Sequence, residues 1–258
     1  MQTFVVMKLV PDTVEEMTVA ADGKSLETEY LRLKLSDPDE HALEEALLLK
    51  ERQGGSVTAV ALDGPEVDDV LFTALAKGAD RAVKLTGDVA GIRSRSAARV
   101  FGAFLTGEGK ALPPDTLIFV CSQAIDDLDG ELGPYLAELL GLPYVCVVTA
   151  VASREGKAVI TKEFAGGWRG EIELPLPAVL GIQSAEKPPR YVPVAKVRAA
   201  MKTGRIETVE VTPPDQLGPL KLERMYKPEV TGGATMIEGS PEQAADQIVA
   251  VLSKSNLI

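Results

Sequence analysis

Short apolar segments alternate with longer amphipathic segments along the first 150 residues of the chain. Four segments are apolar enough to be strands buried inside a parallel sheet: residues 4–10, 57–62, 81–85 and 115–121. Four others have the periodicity of amphipathic helices: residues 38–52, 66–77, 91–105 and 131–140. This alternation predicts an α/β fold with an open, mostly parallel sheet that helices cover on both faces.

The pattern changes after residue 145. Three segments there alternate apolar and polar residues as antiparallel strands do: residues 145–151, 158–164 and 168–174. Beyond residue 188 the chain is rich in proline and polar residues, and one further helix is predicted at 241–253. Residues 190–240 lack an evident core, which favours an arm packed on another molecule over an extended segment lying on its own domain. We therefore expect an α/β domain at 1–190, followed by a docking loop and C-terminal arm at 191–258.

Composition and charge argue against several classes of protein. Of the 258 residues, 45% are hydrophobic and 25% charged, which is typical of globular domains. The formal net charge of −11 argues against a nucleic-acid binder, because neutralising phosphates requires a basic surface. Two cysteines indicate a reducing compartment, and no apolar run reaches the roughly 18 residues of a membrane span. Since the sequence opens without a leader-like segment, we expect a cytoplasmic protein.

The chain is poorly equipped for conventional catalysis. His41 is its single histidine, so a Ser-His-Asp or Cys-His arrangement would depend on that residue. One histidine and two separated cysteines fit no usual zinc-ligand spacing. The sequence has no G-x-x-x-x-G-K-[ST] motif, and no G-x-G-x-x-G motif follows the first strand. We therefore expect no catalytic side chain and no metal site.

The most informative segment, residues 121–134, joins the fourth apolar strand to a helix. Backbone N–H groups at such a junction can bind a phosphate. The amide of Gln123 can pair with an adenine edge or a ribose. The carboxylates of Asp126, Asp127 and Asp129 can bond ribose hydroxyls or orient backbone amides. The alternative is that these acids only cap the helix and complement its dipole.

Five segments form a set that is specific in its order and spacing. They are Met7-Lys-Leu-Val-Pro-Asp-Thr13, Ser36-x-x-Asp-Glu-His-Ala-Leu-Glu-Glu-Ala46, Ala74-Leu-Ala-Lys-Gly-Ala-Asp-Arg81, Gln123-Ala-Ile-Asp-Asp127 with Gly133, and Leu176-Pro-Ala-Val179 followed by Pro189-Arg-Tyr191. Together they span nearly the whole chain. The set resembles the β subunit of electron transfer flavoproteins.

The resemblance implies a Rossmann-like domain of the adenine nucleotide α-hydrolase type. It also implies that the redox FAD is held mainly by an α subunit, around which the C-terminal arm wraps. A separate pocket in this chain would hold AMP as a structural ligand or, in electron-bifurcating members, a second FAD. Carried over by position, the residues of this pocket are Val6, Ser36, Asp37, Pro38, Asp39, Asp63, Cys121, Ser122, Gln123, Ala124, Ile125, Asp126, Asp127, Leu128, Asp129, Gly130, Glu131 and Leu132.

The resemblance further implies a loop that docks onto redox partners such as acyl-CoA dehydrogenases. Its residues are Arg190, Tyr191, Val194 and Ala195. Val194-Ala195 stands where the family usually has Leu-Pro, and an anchor shorter by one methylene loses roughly 0.8 kcal/mol. In the pocket, Glu131 would repel a phosphate by about 1–4 kcal/mol. With Asp63 as a second acid, an empty pocket is an alternative to a bound nucleotide.

Three functional hypotheses follow. The first is a non-enzymatic electron-carrier subunit that passes electrons between dehydrogenases and a downstream acceptor. The second is the β subunit of an electron-bifurcating flavoprotein with two FAD. The third, from another class, is a stand-alone adenine-nucleotide-binding module, against which stands the arm after Tyr191.

Overall fold

The predicted alternation of strands and helices is present in the computed structural model, which describes residues 1–29, 31–107, 109, 111–212, 222–229 and 232–258. The elements, in chain order, are β1 (Gln2–Met7), β2 (Leu9–Pro11), β3 (Leu33–Leu35), α1 (Asp37–Gln53), β4 (Ser56–Leu62), α2 (Val67–Lys77), β5 (Arg81–Thr86), α3 (Ser94–Thr106), β6 (Thr116–Cys121), α4 (Leu132–Leu140), β7 (Tyr144–Arg154), β8 (Lys157–Glu163), β9 (Arg169–Pro175), β10 (Ala178–Ile182), α5 (Val194–Thr203), β11 (Ile206–Glu210) and α6 (Pro241–Lys254).

Nine strands form one sheet in the order β11-β5-β4-β1-β6-β10-β7-β8-β9. Along this order, all neighbouring strands between β11 and β7 pair in parallel, whereas β8 pairs antiparallel with both β7 and β9. This arrangement confirms the open, mostly parallel α/β sheet. The first apolar segment, predicted as one strand, is divided: β1 ends at Met7, and β2 pairs with β3 in a separate antiparallel ribbon.

Helices bury apolar side chains against both faces of the sheet, as the continuous apolar strands require. On one face, helices α1 and α2 contribute Leu43, Leu47 and Leu71 to a core shared with Met7 and Phe119. On the other face, helices α3 and α4 contribute Phe101 and Leu136 to a core shared with Phe4 and Ile118.

Besides the short strand β3, three elements were not predicted from the pattern. They are β10, which inserts between β6 and β7, the helix α5, and β11, which pairs in parallel with β5. Helix α5 contacts α2. Part of the segment expected to form an arm, residues 206–210, therefore lies in the chain's own sheet. Residues 213–221, 230 and 231 of that segment lie outside the described residues.

Residues 19–25 and 222–258 form a second compact unit, which contains helix α6. This helix starts with a capping box, in which Ser240 Oγ accepts the N–H of Gln243 and the side chain of Gln243 accepts the N–H of Ser240. It leaves Ile248, Val249 and Val251 exposed by 48%, 51% and 60%. Nowhere in the described ranges does a helix combine the length and the apolar character needed to cross a membrane.

Candidate functional site

The sheet has a topological switch point between β1 and β6. Strands β4 and β5 lie on one side of β1, and β6 and β10 lie on the other. The pairing of β1 with β4 continues to Met7 and Ala61, whereas the pairing with β6 ends at Val5 and Phe119. The two strands thus separate at their carboxyl ends, where ligands of such sheets bind.

Val6 lies at this separation, but its side chain belongs to the core and is 2% exposed. Only its main chain could therefore contact a ligand.

Lys8, immediately after β1, connects the segments that meet at the switch point. Its backbone N–H donates to Asp39 Oδ2 at 3.0 Å, and its ammonium donates to Asp126 Oδ1 at 2.8 Å and Asp127 Oδ2 at 2.5 Å. Burial alone would lower the pKa of Lys8, but the hydrogen bonds to the two carboxylates outweigh burial and raise it. Lys8 is therefore a cation that neutralises part of an acidic loop.

The first turn of α1 brings Ser36, Asp37, Pro38 and Asp39 to the same edge of the sheet. Asp39 is fully buried, and burial raises the pKa of its carboxyl to about 7 against the opposing influence of Lys8. The hydroxyl of Ser36 is buried without a hydrogen-bond partner among the described residues. Asp37 is exposed and paired with Lys34 at 3.1 Å. Buried polar groups thus crowd one side of the switch point.

The loop after β6 is shaped by its own polar side chains. The amide of Gln123 donates to the carbonyl of Leu128, which has a φ of +55°. Asp127 accepts the N–H of Asp129 at 3.3 Å, and Asp129 accepts the N–H of Glu131 at 2.9 Å. Gln123 and the acids therefore hold the loop in place as well as lining it.

The remaining loop residues differ in exposure. Ala124 is buried beside Cys121, whereas Ile125 and Leu128 are exposed by 54% and 61%. Gly130 has a φ of +60°, a conformation that favours glycine. Leu132 is the first residue of α4, so its N–H belongs to the helix N-terminus. Burial and the nearby carboxyl of Asp39 raise the pKa of the Cys121 thiol, which favours its protonated form.

Glu131 does not face the site as an uncompensated charge. Arg95, on α3, holds it in a bidentate pair, with Nε–Oε2 at 2.8 Å and Nη2–Oε1 at 2.7 Å. The hydrogen bond from Arg95 lowers the pKa of the Glu131 carboxyl. The pair reduces the repulsion that we expected between Glu131 and a phosphate. Sequence reasoning assigned neither Arg95 nor Lys8 to the pocket, although Lys8 belongs to the segment 7–13 that carried part of the resemblance. The basic residues at the start of the third helix were the available signal for Arg95.

Asp63, after β4, faces a different partner. Its carboxylate lies 3.7 Å from the ammonium of Lys84, which pairs more closely with Asp68 at 2.8 Å. It also accepts the N–H of Gly64 at 3.0 Å. Asp63 thus lies at the same carboxyl edge of the sheet as the other candidate site residues, but its carboxylate pairs with Lys84.

Ser122 joins three strands. Its hydroxyl donates to the carbonyl of Gly181 at 2.8 Å and accepts the N–H of Val147 at 3.1 Å. Val147 has a φ of +60°, a rare conformation for a β-branched residue, and the pairing of β7 with β10 skips it. The hydroxyl thus supports a strained turn of the strand, so its main role here is structural.

Replacing Ser122 with Ala should lower the free energy of unfolding by about 1–3 kcal/mol, because the Val147 N–H loses its acceptor in a part-buried position. Urea unfolding of the full chain measures this change. Ser94→Ala, which removes an exposed hydroxyl bonded to Asp127 at 3.2 Å, is the matched control and should change stability by less than about 1 kcal/mol. Equal stability of the Ser122 variant and the unchanged chain would contradict the structural role.

The four residues expected to dock a partner occupy different environments. The guanidinium of Arg190 is paired with Glu44 and Glu51 on helix α1. Tyr191 and Val194 are exposed by 83% and 61%, and Ala195 is also exposed. Val194 and Ala195 open helix α5. The structure thus presents an aromatic and an aliphatic side chain to solvent, next to an arginine that is engaged within the chain.

Comparisons with known proteins show the family to which the chain belongs. The model of the electron transfer flavoprotein domain matches residues 25–214. The chain is 34% identical to the electron transfer flavoprotein subunit beta of Methylophilus methylotrophus, over 98% of both chains. It is 31% identical to the corresponding subunit of Clostridium acetobutylicum and 27% identical to the caffeyl-CoA reductase-Etf complex subunit CarD of Acetobacterium woodii, over the full length of each. The chain belongs to the electron transfer flavoprotein family, as a relative of its β subunits.

Proposed function

We propose that this chain is the β subunit of a heterodimeric electron transfer flavoprotein. It would pass electrons between dehydrogenases and a downstream acceptor through an FAD held mainly by an α subunit. Its own side chains would perform no acid, base or nucleophilic step. The observation that carries the proposal is the family's signature loop, residues 123–127, placed at the switch point of a Rossmann-like sheet.

The crevice between β1 and β6 is the proposed pocket for a nucleotide, AMP or a second FAD. Main-chain groups near Val6, the first turn of α1 and the loop after Cys121 would surround it. The N-terminus of α4 offers N–H groups to a phosphate, and the charges of Lys8 and Arg95 offset nearby carboxylates. These features favour a phosphate-bearing ligand over an empty pocket.

Helix α6 fits a role in binding the α subunit. Its exposed Ile248, Val249 and Val251 give it an apolar surface of the kind that mediates association between subunits. The exposed Tyr191 and Val194 would contact a flavin dehydrogenase such as an acyl-CoA dehydrogenase, because exposed aromatic and aliphatic side chains are typical anchors of docking surfaces.

A count of bound flavin and nucleotide tests the proposal. The chain is co-expressed with its α subunit, and the purified complex is denatured so that the released FAD and AMP can be quantified. We expect one FAD and one AMP per complex. Two FAD would indicate the electron-bifurcating type, and one FAD without a nucleotide would contradict the pocket. A stable complex without flavin would contradict the electron-carrier function.

A further inference from the structure

Helix α1 binds the segment that precedes the docking residues. Three of its side chains accept main-chain N–H groups from that segment: Nδ1 of His41 from Ala185 at 3.1 Å, Oε2 of Glu45 from Glu186 at 3.0 Å, and Oε2 of Glu44 from Arg190 at 2.9 Å. Positions 41, 44 and 45 lie on one face of a helix. The segment from 185 to 190 is thus held along α1 through its backbone.

Arg190 adds a strong side-chain contact at the end of this segment. Its Nε and Nη2 bond the carboxylate of Glu44 at 2.8–3.0 Å, and its Nη1 bonds Glu51 at 2.6 Å. Glu44 is only 3% exposed, so the contact is shielded from water. A bidentate arginine–carboxylate pair fixes direction as well as distance. Each nitrogen of the guanidinium is therefore engaged by a carboxylate of α1.

The exposed residues that follow depend on this contact for their position. Tyr191 comes directly after Arg190. Helix α5, which contacts α2, begins at Val194, three residues after Tyr191. The connection between β10 and α5 has no regular secondary structure. Its last residues, 191–193, lie between the pair of Arg190 with α1 and the helix α5, which packs on α2. A docking surface that is ordered before binding loses less conformational freedom when the partner arrives.

We propose that Glu44 and Arg190 are positioning residues for partner docking, which fix Tyr191 and Val194 in place without touching the partner. The inference rests on the proposed docking of a flavin dehydrogenase at these two residues. It assigns to Arg190 a role different from that of a contact residue. It also predicts that Glu44, which is buried in the chain, affects the affinity for the partner as strongly as Arg190 does.

The test uses the complex of the full chain with its α subunit and a purified acyl-CoA dehydrogenase supplied with acyl-CoA. The rate at which the flavin absorbance of the complex bleaches gives KM for the complex and kcat. We expect Glu44→Gln and Arg190→Lys each to raise KM about tenfold with kcat unchanged, since the lysine cannot form the bidentate pair. Glu171→Gln, in an exposed pair with Arg154, is the control and should leave KM unchanged.

Hydrogen exchange of the same complexes separates positioning from loss of folding. The amides of residues 185–193 should exchange faster in both variants, while those of β1 and β6 stay protected. The double variant Glu44→Gln/Arg190→Lys should be no worse than either single variant, because both remove the same contact. An unchanged KM, or unchanged exchange at 185–193, would overturn the inference. If the unchanged complex accepts no electrons, the docking proposal itself fails, and the inference with it.

Discussion

Between about pH 4 and pH 7, the Asp39→Asn variant should gain roughly 3 kcal/mol of stability relative to the unchanged chain. Burial raises the pKa of the Asp39 carboxyl from 3.8 to about 7 in the folded chain. Between these two values the folded chain binds more protons than the unfolded chain, so the contribution of Asp39 to stability falls as the pH rises. Asparagine does not titrate, so its variant loses this pH dependence while an acceptor for the Lys8 N–H remains.

Urea unfolding of both chains at several pH values, without nucleotide, measures the difference. Taking the difference between chains cancels the titration of the other groups. Asp37→Asn is the matched control: Asp37 lies in the same helical turn, but its side chain is 72% exposed. Between about pH 4 and pH 7, the difference in the free energy of unfolding between Asp37→Asn and the unchanged chain should vary by less than about 1 kcal/mol. Parallel pH curves for Asp39→Asn and the unchanged chain would show that Asp39 is ionised in the folded chain as readily as in the unfolded chain.

The positions of four buried strands along the chain could be predicted from the sequence because each has a local signal. The apolar runs that became β1, β4 and β6 are nearly continuous, as strands covered on both faces must be, and β5 keeps a shorter apolar run at Ala82 and Val83. Strand β11 has no such signal, since it lies at the edge of the sheet and none of its residues is buried. Strand β10 has only five residues and begins soon after β9 ends, so the apolar pattern did not distinguish it as a strand of its own.

The candidate site was predictable in its carboxylates but not in its cations. The acidic loop follows a predicted strand, so its position at the carboxyl edge could be inferred from the sequence. Lys8 is separated from Asp126 and Asp127 by 118 and 119 residues, and Arg95 from Glu131 by 36. Lys8 follows β1, and Asp126 and Asp127 follow β6. The parallel pairing of these two strands brings the lysine close to the two carboxylates. Spacing in a single sequence carries no information about such long-range ion pairs.

Replacing Lys8 with Met should weaken AMP binding to the complex about 100-fold, provided that the crevice is the nucleotide pocket. The change removes two charge-assisted hydrogen bonds and leaves Asp126 and Asp127 uncompensated beside the site. Repulsion of a phosphate by such charges is on the order of 1–4 kcal/mol, which corresponds to this loss. Titration calorimetry with nucleotide-free complex measures the affinity. Lys8→Arg, which keeps the charge, should lose less than about tenfold.

Adenosine separates the two ways in which Lys8 could act. It has the base and ribose of AMP but no phosphate, so neutralising the carboxylates should matter little to its binding. We expect its affinity to fall less than about fivefold in Lys8→Met, while the exposed-pair control Lys157→Met leaves both ligands unaffected. If AMP and adenosine lose affinity equally, Lys8 acts by holding the loop that contacts the base and ribose. The electrostatic account of the pocket would then be wrong, because the acidic loop would tolerate a phosphate without its lysine.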